Sequence, residues 1–312
     1  MGSAPGRARQ GESVSHAADR DHRDHRDHRD HRDHRDGPGA ALLDFVERHP
    51  RLFVLTGAGI STDSGIPGYR DEQGRWQRSA PMTITAFLSG HPARQRYWAR
   101  SMVGWPVADA AQPNISHRVV ARLGDAGRVA GLVTQNVDGL HQRAGSRDVT
   151  ELHGSIGQVV CLSCATPYRR IDIQRWLWLH NPDFRDVSAL PAADGDAHLE
   201  SPLFDNFAVP DCERCGGVLK PDVVFFGESV PRERVDAGRR ALDMADGMLV
   251  IGSSLTVFSG YRFCLWAAER GLPIAALNLG TTRADPLLAA KISAPIGPAL
   301  AALAVSLGLE AD

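Results

Sequence analysis

Lysine is nearly absent: Lys220 and Lys291 are the only two, against more than thirty arginines. With the high alanine and glycine content, this bias points to a GC-rich, bacterial genome rather than to a binding function. Neither sign of charge is in surplus, since 35 basic residues face 37 acidic ones, and the electrostatic case for nucleic acid or an anionic membrane as partner falls away. Also missing is any apolar run near the roughly 20 residues of a membrane span. Neither a signal peptide nor a lipidation motif is visible, and four of the five cysteines fall in two C-x-x-C pairs. These thiols read as metal ligands in a reducing compartment, which predicts a cytoplasmic protein.

Residues 1–38 lack hydrophobic periodicity, and from Asp21 to Asp36 they repeat Asp-His-Arg, with His22, His25, His28, His31 and His34 in register. A period of three spreads these histidines round a helix and gives each a charged neighbour. The tract therefore predicts a disordered tail rather than a metal site. The remaining 39–312 leave room for one sizeable domain and a small second module. An amphipathic helix is expected over "AALLDFVERH" from Ala40, and apolar strands at "RLFVLTG", "RVAGLVTQN", "DVTELHG", "KPDVVFFGE", "GMLVIGSS" and "PIAALNLG". Helical stretches such as Arg232 to Ala245 and Ser259 to Arg270 lie between them. This alternation predicts an α/β fold with a Rossmann-like, doubly wound parallel sheet. The rhythm breaks at about 160–219, where both cysteine pairs lie, so a small inserted zinc-binding module is expected between Rossmann-like portions at 39–159 and 220–312.

Gly57, Ala58 and Gly59 let the chain turn after a strand and bring backbone N–H groups towards phosphate oxygens. Thr62 takes the third-glycine place of G-x-G-x-x-G, and no acidic residue follows at a strand end about 20 residues on, which speaks against a hydride-transferring dehydrogenase. Next, Gly65, Pro67, Gly68 and Gly74 forbid a regular helix, while Tyr69, Arg70 and Trp76 offer groups to grip a ribose or phosphate. The stretch reads as a lid or as a structural loop. At "LVTQNVDGLH" a strand ends in Gln135, Asn136 and Asp138, more polar groups than a helix cap needs, in the place where open sheets bind ligands. "VTELHG" delivers His153 after a strand; a lone histidine is more often structural, but its ordinary pKa near 6.5 suits proton abstraction from a hydroxyl. Cys161, Cys164, Cys212 and Cys215 would close a tetrahedral zinc site with no position left for water, hence a structural metal. "GSS" (Gly252 to Ser254) and "NLG" (Asn278 to Gly280) end two later strands with small, polar residues.

In this order, GAGIS, GIPGYR, TQNVDGLH, LHG, the two C-x-x-C pairs, KPDVVFFGE, GSSL and LNLG resemble the sirtuins, the NAD-dependent protein lysine deacylases, over about residues 40–297. "RQRYWARSMVGWP" and "SGYRF" further resemble the class II branch, whose animal members are mitochondrial and associated with deacylation and ADP-ribosyl transfer. The resemblance implies that NAD is consumed: an acyl-lysine carbonyl oxygen displaces nicotinamide, and the acyl group passes to ADP-ribose. It implies His153 as general base and Asn136 as a second catalytic residue. Cofactor contacts are implied for Gly57, Ala58, Gly59, Ile60, Asp63, Ile66, Pro67, Tyr69, Arg70, Trp76, Gln77, Gln135, Asn136, Val137, Asp138, Gly252, Ser253, Ser254, Asn278, Leu279, Gly280 and Ile296. Acyl-lysine proteins or peptides, the implied partners, would contact Val224, Phe225, Phe226, Gly227, Glu228 and Gly260, pairing as an extra strand. One zinc ion per chain would sit on the four cysteines. The family's usual acidic residue after "GIP" is Gly68 here, which bears on lid stability. Asp71 and Glu72 near the acyl pocket disfavour a carboxylated acyl group, so neutral ones are expected. Two other readings stay open: a mono-ADP-ribosyltransferase on the same site, and a non-catalytic NAD-sensing or zinc-ribbon module.

Overall fold

Leu52–Thr56 is a continuous apolar run because, as strand β1, it is buried on both faces. The computed structural model describes residues 1–2, 38–68, 81–191 and 195–309. Its strands continue with β2 (Val129–Thr134), β3 (Val149–Glu151), β4 (Gly154–Cys161), β5 (Pro167–Arg169), β6 (Leu190–Pro191), β7 (Ala197–His198), β8 (Leu219–Val223), β9 (Gly247–Ile251), β10 (Ile274–Leu277) and β11 (Ala290–Ile292). The helices are α1 (Pro38–Arg48), α2 (Ile84–Leu88), α3 (His91–Ala110), α4 (Ile115–Asp125), α5 (Leu140–Arg143), α6 (Arg170–His180), α7 (Arg232–Asp243), α8 (Phe258–Glu269) and α9 (Ile296–Ser306). None among the described residues is long and apolar enough to cross a membrane.

One sheet runs β11-β10-β9-β1-β2-β3 with every pair parallel. Side chains alternate across a strand, so each strand feeds two cores. Leu52, Val54, Leu249 and Ile251 pack with α1, α4 and α9, whereas Phe53, Leu55, Met248 and Val250 pack with α7 and α8. This is the doubly wound arrangement expected from the sequence. Asp36–Asp312 forms one compact unit.

A second, antiparallel sheet in the order β5-β4-β8 accompanies the cysteine pairs. Here the structure corrects one expectation, because "KPDVV" supplies β8 to this sheet rather than a strand to the parallel one. Pro221 gives the physical reason: it has no N–H to donate, which suits the edge of a small sheet and not a central parallel strand. β4, β11 and α9 are further elements that no expectation named. β4 starts at Gly154, where φ is +85° and an added Cβ would lie 1.9 Å from the Asp222 carbonyl oxygen. Glycine alone makes that turn, and it carries the chain from His153 straight into the cysteine module.

Candidate active site and metal centre

The carboxyl ends of β1, β2, β9 and β10 open onto one cavity of about 1040 Å³. Gly57, Ala58, Gly59, Asp63, Gln135, Asn136, Val137 and His153 line it, as do Gly252, Ser253, Ser254, Asn278, Leu279, Gly280 and Ile296. The glycines work differently from expectation. Gly57 N–H donates to the Ile251 carbonyl at 3.0 Å and Gly59 N–H to the Gly252 carbonyl at 2.9 Å, so neither points at a ligand. Their lack of a Cβ is what joins the loops after β1 and β9: added at Gly57 it would sit 2.7 Å from Ser253 Cβ, and at Gly59 2.9 Å from Gly252 Cα. Ile60 and Ile66 are buried below this floor, and Pro67 is half-buried outside the cavity. Tyr69, Arg70, Trp76 and Gln77, together with Asp71, Glu72 and the Asp-His-Arg tract, lie outside the described residues.

Beyond β2 the side chains converge on Ser61, a residue the sequence did not single out. Asn136 Nδ2 donates to Ser61 Oγ at 2.9 Å, and Ser61 Oγ donates to Asp138 Oδ2 at 2.7 Å. Asp138 Oδ1 accepts from the Leu140 N–H at 2.9 Å, so this carboxylate both starts α5 and anchors the amide that lines the cavity. Ser253 Oγ donates to Gln135 Oε1 at 2.6 Å. Gly260 is buried against that same amide, where an added Cβ would meet Gln135 Nε2 at 2.6 Å. It makes room for Gln135 and does not line the cavity.

Two histidines lie beneath this cluster, their rings 4.9 Å apart. Thr56 Oγ1 donates to Thr134 Oγ1 at 2.9 Å, so His141 Nε2, also 2.9 Å from Thr56 Oγ1, carries the proton and donates. Burial pushes His141 down to about 3, helped by His117, and pushes His117 down to about 4 against the opposing pull of Asp138. Both are neutral in the fold, while the unfolded chain binds protons near pH 6.5. Their stabilisation is therefore complete above about pH 6.5 and is lost as pH falls towards 4 and then 3, at up to ~1.4 kcal/mol per pH unit for each ring. Urea unfolding between pH 7 and 5 is expected to show this slope, and His141→Gln to remove one ring's share of it. An unchanged slope in that variant would contradict the assignment.

His153 follows β3 directly. Its Nδ1 lies 2.8 Å from the Gln135 carbonyl oxygen and its Nε2 2.8 Å from Ser259 Oγ. A carbonyl only accepts, so Nδ1 carries the hydrogen and Nε2 the lone pair. Burial holds the ring below the usual histidine range; the Gln135 bond opposes this and the Arg234 charge adds to it. The result is a neutral imidazole whose basic nitrogen lies at the cavity wall.

Val224, Phe225, Phe226, Gly227 and Glu228 line the same cavity. Their loop is tied to His153, since Val224 N–H donates to the His153 carbonyl at 2.8 Å. Glu228 Oε2 accepts from the Phe225 N–H at 2.9 Å and pairs with buried Lys220 Nζ at 3.1 Å. One of the two lysines thus braces this loop, its ammonium 4.7 Å from the Phe225 ring centre.

The four paired cysteines converge as their spacing predicts. All their Sγ atoms lie within 4.8 Å of one another, with Cys161 to Cys215 at 3.5 Å and Cys164 to Cys212 at 3.7 Å. A tetrahedral zinc with Zn–S near 2.3 Å needs sulfur edges of about 3.8 Å. The thiols are thus positioned to bind one structural zinc. The knuckles interlock because Gly217 has no side chain: an added Cβ would be 2.5 Å from Ser163 Oγ. Tyr168 OH lies 3.1 Å from Cys212 Sγ and Thr166 Oγ1 3.1 Å from Cys164 Sγ, contacts that favour the thiolate form of each.

Comparison with known proteins agrees with this geometry. The Sir2 family model matches residues 57–259. The "NAD-dependent protein deacetylase" of Xanthomonas campestris pv. campestris (strain 8004) is 56% identical over 265 residues, 85% of this chain and 90% of that protein. The protein of the same name from Bordetella bronchiseptica is 56% identical over 261 residues, 84% of this chain and 95% of that protein. A solved structure described as "Sir2-p53 peptide-NAD+" superposes with a TM-score of 0.69 at 29% identity, covering 86% of this chain and 98% of that one. With polar strand ends around one cavity, four clustered thiols, and more than half of the aligned residues identical to relatives covered over 90% or more of their length, this chain belongs to the Sir2 family.

Proposed function

We propose that the chain is an NAD-dependent protein lysine deacylase that takes acetyl-lysine proteins or peptides as substrate, releases nicotinamide and passes the acyl group to ADP-ribose. The observation that carries the reading is His153: a neutral imidazole with its Nε2 lone pair at the cavity wall, beside the amides of Gln135 and Asn136. The relatives' name and the peptide and NAD+ of the solved Sir2 structure support it. The donor set fits NAD, with amides and hydroxyls for ribose and carboxamide. When bound, NAD supplies the electrophilic ribose carbon from which nicotinamide departs as the acyl oxygen takes its place. Gln135, held by Ser253, and Asn136, held through Ser61 by Asp138, orient the ribose and carboxamide, and His153 Nε2 takes a proton from a ribose hydroxyl. Val224 to Glu228 hold the acyl-lysine, whose peptide adds beside Gly227 as an extra strand. Zinc on the four cysteines holds the module's fold and takes no part in the chemistry. The reduced four-thiol cluster favours a cytoplasmic setting, and "SGYRF" favours the class II branch.

Incubation with NAD and an acetyl-lysine peptide is expected to yield nicotinamide, free peptide and acetyl-ADP-ribose in equal amounts by mass spectrometry. ADP-ribose label on protein without deacylation would replace this reading by the transferase. Deleting residues 1–36 is expected to leave kcat and KM unchanged, because the Asp-His-Arg tract lacks apolar surface with which to dock. A large loss of turnover in the truncated enzyme would refute that.

A further inference from the structure

The lone pair that makes His153 a base has a partner in the first residue of "SGYRF". Nε2 lies 2.8 Å from Oγ of Ser259, the second residue of α8, which lines the cavity. Because Nδ1–H is committed to the Gln135 carbonyl, the Ser259 hydroxyl donates to Nε2 in the resting ring. A serine hydroxyl is also an acceptor, and its hydrogen is free to rotate.

We propose that Ser259 is a positioning residue for His153, donating to Nε2 of the neutral base and, after rotation about Cβ–Oγ, accepting from Nε2–H of the imidazolium. The proposal rests on the reading of His153 as the base. In the proton transfer the ribose O–H bond breaks and the Nε2–H bond forms, while the serine keeps its own hydrogen throughout.

The need for such an acceptor follows from what surrounds the ring. From β2 comes the end of the strand with the Gln135 carbonyl, already used by Nδ1. From α7 comes Arg234, whose charge opposes a second cation, and Asp222 on β8 is engaged with Arg234 at 2.9 Å. From α8 comes a helix N-terminus, whose partial positive charge also disfavours an imidazolium. Among the described residues no carboxylate bonds the ring. A hydrogen bond from a charged donor is roughly twice as strong as a neutral one, so the Ser259 oxygen stabilises the protonated ring more than its hydroxyl stabilises the neutral ring. It offsets part of the burial that otherwise weakens the base.

The test uses the full chain with Ser259→Ala and Ser259→Thr, and His153→Ala in parallel. In Ser259→Ala, kcat for acetyl-peptide is expected to fall roughly tenfold, the effect of one charge-assisted bond, with KM for NAD little changed. The His153 titration, followed by NMR, is expected to move to lower pH. Ser259→Thr is expected to restore both. A titration that stays in place in Ser259→Ala overturns the proposal whatever happens to kcat, since a purely structural role would leave it there; an unchanged kcat overturns it as well. If Ser259→Ala fails to fold, Ser259→Cys, a weaker hydrogen-bonding group of similar shape, is expected to show the same shift in smaller degree, and no shift there refutes the idea. Retained turnover in His153→Ala would instead remove the base reading itself, whatever the serine variants show.

Discussion

His153→Ala is expected to lower deacylation by a factor of about 10² to 10⁴ while NAD still binds. The size follows from the role. The variant loses the group that accepts the ribose proton, and the neighbouring polar groups are engaged elsewhere: Asp138 in Ser61 and the Leu140 N–H, and the Gln135 side-chain oxygen in Ser253. The binding wall is built mostly from other residues, so NAD affinity measured by calorimetry should survive. The substitution also leaves the Ser259 hydroxyl and the Gln135 carbonyl without this partner, so Tm must be compared first. Near-normal turnover in a folded, NAD-binding variant would sink the assignment of His153 as base.

Loss of the metal centre should have the other large effect, through the fold. Wild-type protein is expected to hold one zinc per chain by metal analysis. Cys212→Ala removes a buried ligand and leaves three thiols too few to close the tetrahedron. Structural zinc sites bind with about 10–16 kcal/mol in small domains, comparable to a domain's whole stability of about 5–15 kcal/mol. The module should therefore open in this variant or on chelation. Activity should then fall indirectly, because β4 runs from beside His153 to Cys161 and pairs with β8, whose continuation lines the cavity. Zinc-free protein with an unchanged Tm and full activity would show that the four thiols do not need a metal.

The sequence by itself determined the features whose cause is local. Short apolar runs such as "LFVLT" and "GMLVI", alternating with helical stretches, read as strands buried on both faces, and they announced the parallel sheet. Two C-x-x-C pairs can meet around one ion because each knuckle brings its two thiols together, so the zinc ligands were legible from spacing alone. Polar residues just after an apolar strand marked Gln135, Asn136 and His153, since strand ends are where an open sheet is accessible. Pro221 carried a legible signal of an edge strand, although the alternation around it suggested the main sheet.

Only the tertiary structure decided which side chains meet. Ser61 comes to Asn136 across 75 positions, and Ser259 to His153 across 106. The order β11-β10-β9-β1-β2-β3 sets those meetings by placing the ends of β1, β2 and β9 side by side, and no local periodicity encodes that order. The same holds for the glycines after β1: their composition suggested a phosphate turn, while their N–H bonds show two loops locked together. Hydrogen-bond direction was likewise invisible in the sequence. Only the fixed carbonyl of Gln135 against Nδ1 makes Nε2 of His153 the basic atom, because an imidazole's tautomer is set by what its other nitrogen touches.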